Sequence, residues 1–151
     1  MENYNDPAIR LTLMPRDTNS QGTIFGGIIL SYIDMAGAIE AHRKLNIERL
    51  VTVAMREVIF HEPVFVGDLI SCYGHIERVG TSSVTVRVVV EAERLGGARS
   101  SIRVTEAEVV YVAVDQNRRK TPIKKASEEG ARNKHQTGDP SIVDCGVRNA
   151  E

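Results

Sequence analysis

The chain has no tryptophan, and its three phenylalanines and four tyrosines amount to 5% of its 151 residues. Its interior must therefore be filled mainly by Val, Ile, Leu and Ala. Cysteine is nearly absent: Cys72 and Cys145 have no metal-like spacing, which excludes a disulfide framework and a zinc cluster. An excess of one charge is also missing, because 19 Lys and Arg face 20 Asp and Glu for a formal net charge of −1. Such a balance provides no basic stripe for a phosphate backbone, so no nucleic-acid partner is expected. Nor is there a membrane-length apolar run. Ile24 to Ile33 is interrupted by Asp34, well short of the roughly 20 residues a spanning helix needs. The segment Met1 to Asp6 is polar and acidic, unlike an export signal, so a cytoplasmic location is expected.

What is present is enough for one packed domain. Hydrophobic residues make up 42% of the chain, too many for a disordered polymer. No internal repeat is visible. The sequence divides into a core over residues 8–123 and a polar tail over 124–151. In that tail the only adjacent apolar pair is Ile142 and Val143, too little to offset its ordering entropy alone. Within the core, Ile9, Leu11 and Leu13 form a short apolar stretch, followed by a turn-rich loop from Arg16 to Gly22. Ile28, Ile29, Tyr32, Ile33, Ala36 and Ile39 then recur at three- and four-residue intervals, which predicts a helix over about Gly26 to Leu45. Beyond it the period changes to two. Val51–Met55, Ile70–Ile76, Val84–Val90 and a run from Ile102 to Val114 read as four strands. Gly80-Thr81-Ser82 and Gly96-Gly97 are hairpin-sized gaps, so the strands flanking them should be antiparallel neighbours. The alternation slips near Glu106–Glu108, which predicts a bulge or an exchange of faces. One helix covers one sheet face only, and the remaining apolar surface and strand edges predict self-association.

Asp34 is the principal chemical anomaly, a carboxylate within the most apolar helix. It could simply face solvent. Yet the positions at −7, −4, −3, +3, +4 and +7 are Gly27, Leu30, Ser31, Gly37, Ala38 and Ala41, a mostly small face that leaves room for a ligand. Gly26-Gly27 opens the same helix. Glycine pairs are common in loops, but backbone N–H groups at a helix start suit a developing oxyanion, each such donor contributing about 3–4 kcal/mol. Asn19 is either a turn former or a residue that orients a carbonyl or water. Gly80-Thr81-Ser82-Ser83 is first a hairpin turn, whose hydroxyls and amides could also meet a phosphate or an amide-rich ligand. The four histidines show no paired metal spacing, so no metal site is expected.

Several of these segments occur together in one known family. Met14-Pro15-Arg16-Asp17-Thr18-Asn19, Gly22, Ile24-Phe25-Gly26-Gly27 and Asp34-Met35-Ala36-Gly37-Ala38 closely resemble the acyl-CoA thioesterases of the hotdog fold, in their bacterial acyl-CoA hydrolase subgroup. Val51-Thr52-Val53-Ala54, Pro63-Val64-Phe65-Val66-Gly67-Asp68, Gly80–Ser83 and Tyr111-Val112-Ala113-Val114-Asp115 continue the likeness in unbroken order. The resemblance implies an α+β hotdog fold: a long helix wrapped by a curved antiparallel sheet, assembled as a dimer or a trimer of dimers with sites between subunits. It implies hydrolysis of acyl-CoA to a carboxylic acid and CoA, with no cofactor besides the CoA carried by the substrate. Asp34 takes the place of the family's carboxylate, as general base or nucleophile, and Gly27 that of the oxyanion donor. Asn19 matches a polar residue that acts across the dimer. Phe25 and Gly26 would line the substrate site, with Phe25 standing where many relatives carry histidine, and Gly80, Thr81, Ser82 and Ser83 match a stretch that meets CoA. A non-catalytic acyl-CoA-binding module on the same scaffold is the alternative, distinguished by whether Asp34 is needed for turnover.

Overall fold

The computed structural model describes residues 6–96 and 100–124. Gly97 of the second hairpin signal, Cys145 and the tail from 125 onward lie outside the described residues, as do Met1 to Asn5. The element order is β1 (Ile9–Thr12), a 3-10 turn (Pro15–Asp17), α1 (Gly26–Leu45), β2 (Leu50–Phe60), β3 (Leu69–Val79), β4 (Ser83–Glu93) and β5 (Ser101–Ala113). The strands form one antiparallel sheet in the order β1-β3-β4-β5-β2.

Local chemistry accounts for the boundaries of α1. Its N-cap, Phe25, has no side-chain acceptor to offer the first turn, and no acid stands in that turn. At the other end Asn46 adopts a left-handed conformation, φ 50°, and its amide closes on the His42 carbonyl at 3.0 Å. His42, Arg43 and Lys44 lie in the last turn, where the helix dipole favours cations. One line of the helix is buried, through Ile29, Ile33, Ala36, Gly37, Glu40 and Ala41, and packs on β3, β4 and β5. Opposite it, Val84, Val86, Val88, Val90, Val104 and Val109 are fully enclosed. Burying each of these aliphatic side chains stabilises the fold by about 1.5–3 kcal/mol before entropy is counted.

The two hairpins join β3 to β4 and β4 to β5, as the turn residues require. β2 does not pair with β3. It crosses to the far side of β5, with Leu50 opposite Ala113 and Phe60 opposite Thr105. The slip in alternation near Glu106–Glu108 corresponds to a register shift between Arg56 and Ile59 on the facing strand β2. There Glu57 takes φ 49°, a left-handed conformation that turns the strand. A second shift on β2 falls between Thr52 and Ala54. β1 and β2 are the two sheet edges. β1 is only four residues long, whereas β2 is eleven and leaves Val51, Val53, Ile59 and Phe60 exposed.

Candidate active site

Asp34 lies midway along α1, partly buried, on the border between the helix line packed against the sheet and the exposed positions Ser31 and Met35. It is neither bathed in solvent nor enclosed. The Thr52 hydroxyl on β2 donates to Asp34 Oδ1 at 2.7 Å. The Tyr111 hydroxyl on β5 donates to the Asp34 backbone carbonyl at 2.5 Å. Thr52 and Tyr111 are directly opposed across β2 and β5, so two neighbouring strands grip the same helical residue. Burial first, and then the charge of Asp34, holds the phenol proton well above the usual tyrosine range, so Tyr111 is a neutral donor.

Gly27 stands seven residues before Asp34 in the first turn of α1. A side chain there would run into the Phe25 ring, which lies across the helix start. A larger residue there would have to displace the exposed Phe25 ring. Of the first-turn amides, that of Ile28 bonds to the Phe25 carbonyl at 2.9 Å, while no intramolecular acceptor stands opposite Gly26 or Gly27 among the described residues. Gly26 faces the Phe60 ring, which a β-carbon would approach to 3.3 Å. Beside it is a cavity of about 190 Å³, lined in part by Ile24, Ile29, Phe60, Pro63 and Thr105. Phe25 itself is 56% exposed, an unusual position for a large aromatic side chain.

The other expected residues fall elsewhere. Asn19 is engaged within its own loop: its Oδ1 accepts from the Gln21 amide at 2.8 Å and its Nδ2 donates to Thr23 Oγ1 at 3.0 Å. The turn-former reading describes this geometry, and within one chain Asn19 makes no hydrogen bond to Asp34 among the described residues. Gly80–Ser83 does form the β3–β4 turn, closed by the Gly80 amide on the Ser83 carbonyl at 2.7 Å and pinned by the Ile123 amide on the Thr81 carbonyl at 2.7 Å. However, it borders the C-terminal end of α1, near Ala113, while Gly26 and Phe60 lie near Thr105 at the opposite end of β5. One protomer brings Asp34, Thr52 and Tyr111 together; the Gly80–Ser83 turn ends one residue along the sheet from Tyr111, with Ser83 opposite Val112 and Val84 opposite Tyr111, but neither it nor Asn19 makes a hydrogen bond to Asp34 among the described residues.

Thr52 and Tyr111 carried no role in the sequence reading. Both sit inside segments that repeat the family pattern, which was the available signal, but a threonine and a tyrosine in strands otherwise read as ordinary β-formers.

Comparison with known proteins identifies the family and the fold. Residues 21–98 match the model of the thioesterase superfamily. A hexameric hotdog-fold thioesterase of Campylobacter jejuni superposes with a TM-score of 0.77 at 47% identity, covering 82% of this chain and 93% of that one. A hexameric broad-specificity acyl-coenzyme A thioesterase, solved as an aspartate-to-alanine mutant, gives a TM-score of 0.77 at 37% identity over 82% of this chain and 90% of the other. The acyl-CoA thioester hydrolase YciA of Escherichia coli strain K12 is 39% identical over 112 residues, 73% of this chain and 84% of that protein. With a long helix set on a five-stranded antiparallel sheet, this chain has the hotdog fold and belongs to the thioesterase superfamily.

Proposed function

We propose that the protein is an acyl-CoA thioester hydrolase that splits acyl-CoA and water into a carboxylic acid and CoA. The observation that carries this reading is a carboxylate set into an apolar helix and held at one oxygen by Thr52, on a helix whose Gly26 and Gly27 amides have no internal acceptor among the described residues. A thiolate is a good leaving group, since an ordinary thiol has a pKa of about 8.5, so the reaction needs no strong general acid. It needs an activated nucleophile, a polarised carbonyl and a groove for the acyl chain. Asp34 takes the proton of an attacking water, or attacks the thioester carbon itself, expelling CoA thiolate and leaving an anhydride that water then hydrolyses; in either course the Gly27 amide receives the charge that develops on the carbonyl oxygen. Water is the only co-reactant, and CoA enters as part of the substrate.

Helix geometry supports a site shared between protomers. Seven residues separate Gly27 from Asp34, about 10.5 Å of helix rise, and they project from nearly the same face. A reacting carbonyl carbon must lie about 3 Å from both the nucleophile and the oxyanion donor. One protomer cannot place both there, whereas Asp34 of one chain facing Gly27 of a second, related by a two-fold axis, can. The proposed assembly is accordingly a dimer or a trimer of dimers, in which the Asn19 loop and the Gly80–Ser83 turn would reach the CoA ester from the neighbouring chain. Phe25 and Gly26, beside the cavity at the helix start, would meet the acyl part. A cytoplasmic setting belongs to the same proposal, supported by the buried, unpaired Cys72 thiol, which suits a reducing compartment.

The test is turnover of acyl-CoA esters of graded chain length, read as released thiol, for the wild-type chain and Asp34→Asn. The variant should still bind CoA esters while kcat falls by about 10² to 10⁴, the range of a lost general base. Unchanged turnover would remove Asp34 from the mechanism and favour a different role for the fold. Ester binding without turnover in the wild-type chain would favour the binding-module alternative.

A further inference from the structure

We propose that Tyr111 is a positioning residue for Asp34, its hydroxyl inserted into the helix at the Asp34 turn so as to set the direction of the carboxylate. This rests on the thioesterase reading and adds to it a residue outside the reacting groups. In an uninterrupted helix the Ala38 amide donates to the Asp34 carbonyl. Here the phenol enters at that rung: it donates to the Asp34 carbonyl at 2.5 Å, the acceptor that the Ala38 amide would otherwise have to itself. The ring cannot swing away, because Tyr111 is 1% exposed and clamped in register between Val84 and Thr52 on the flanking strands. Gly37 lies directly beneath the hydroxyl, and any β-carbon there would overlap the phenol oxygen. The helix therefore carries its one mid-helix glycine at the point where the phenol enters. With Thr52 holding Oδ1 and Tyr111 holding the backbone of the same residue, the carboxylate is fixed at both ends.

Tyr111→Phe keeps the ring and removes the hydroxyl alone. We expect kcat to fall about tenfold while KM stays within about twofold, the pattern of an interaction that matters in the transition state rather than in binding. In an Asp34→Asn background the same change should leave the residual rate unaltered, because the hydroxyl acts through Asp34. An unchanged kcat, a loss confined to KM, or an equal loss in the Asp34→Asn background would each overturn the inference. Should Tyr111→Phe not fold, Gly37→Ala carries the test. The added methyl displaces the phenol, so kcat should again fall at constant KM, and wild-type kcat would overturn the proposal. If the wild-type chain releases no thiol from any acyl-CoA, the thioesterase reading itself fails. Wild-type turnover with an unaffected Tyr111→Phe variant rejects only the positioning role.

Discussion

The Thr52 hydroxyl binds a charged acceptor at 2.7 Å, and hydrogen bonds to charged groups are among the stronger ones, about 1.5–3 kcal/mol. Thr52 lies on an exposed edge, so the lower part of that range applies, and Thr52→Val should lower kcat/KM about tenfold in a thiol-release assay. Cys72 provides a second residue-scale expectation. Burial pushes its thiol up to about 12 from an ordinary 9.0. In the folded state it should therefore resist a thiol reagent at pH 8–9, and in denaturant it should react. A Cys145→Ser variant makes that count unambiguous. Because the folded value lies above the unfolded one, the stability due to a protonated Cys72 is complete below pH 9 and falls away between pH 9 and 12. Replacing Cys72 by Ala should flatten the stability curve over the accessible part of that window. At this scale Asp34 was legible because an acid midway along an oily helix, about a turn and a half before its charged end, breaks a pattern. Thr52 and Tyr111 were not, since they reach Asp34 from 18 and 77 residues away and nothing local marks them. Asn19 was half legible: its turn chemistry is written in the loop, and any action across chains is not.

Helix α1 shows how much an element discloses about itself and how little about its neighbours. Gly26–Leu45 follows from apolar spacing, from the Gly26-Gly27 start and from cations at the end, and the observed helix has those bounds. The four long strands follow likewise from alternation, and the two hairpins from their turn residues. What alternation does not encode is sheet order, and β2 crossing to pair with β5 rather than β3 is a long-range choice. The irregularity near Glu106–Glu108 was visible, but the extra residue there belongs to the opposing strand β2, where Glu57 is left-handed, and β5 itself shifts against β4 between Arg103 and Thr105. Gly37 is the position where the helix and sheet constrain each other most closely. A glycine within a helix costs roughly 0.5–1 kcal/mol relative to alanine, so Gly37→Ala would stabilise an isolated helix. In this fold the methyl meets the Tyr111 hydroxyl, and overpacking of that kind costs about 1–3 kcal/mol. Chemical denaturation should show Gly37→Ala less stable than wild type, against helix propensity.

For the whole molecule, the decisive surface is the β2 edge with the helix face beside it. Val53 at 56% exposure, with Val51, Ile59, Phe60, Phe25 and Met35, leaves an apolar border that a lone protomer would present to water. This surplus of apolar surface makes self-association the expectation, but nothing in the sequence sets its geometry. Val53→Lys should drive the protein toward smaller species in sedimentation velocity. If Asp34 and Gly27 act from different chains, that variant should lose turnover in step with assembly, and raising its concentration should restore both.

The twist in β2 has a further bearing on how far assembly can go. An eleven-residue open edge invites strand after strand to add, which is the route to fibres. Register shifts at Val53 and again about Glu57 break this edge into short straight pieces, and the opposite margin of the sheet, β1, ends after four residues. A second chain can dock on such a border through its side chains and a few backbone rungs, but a ladder cannot propagate along it. Such an edge disfavours open-ended strand addition, so assembly through it should stop at a closed particle rather than run on to a filament.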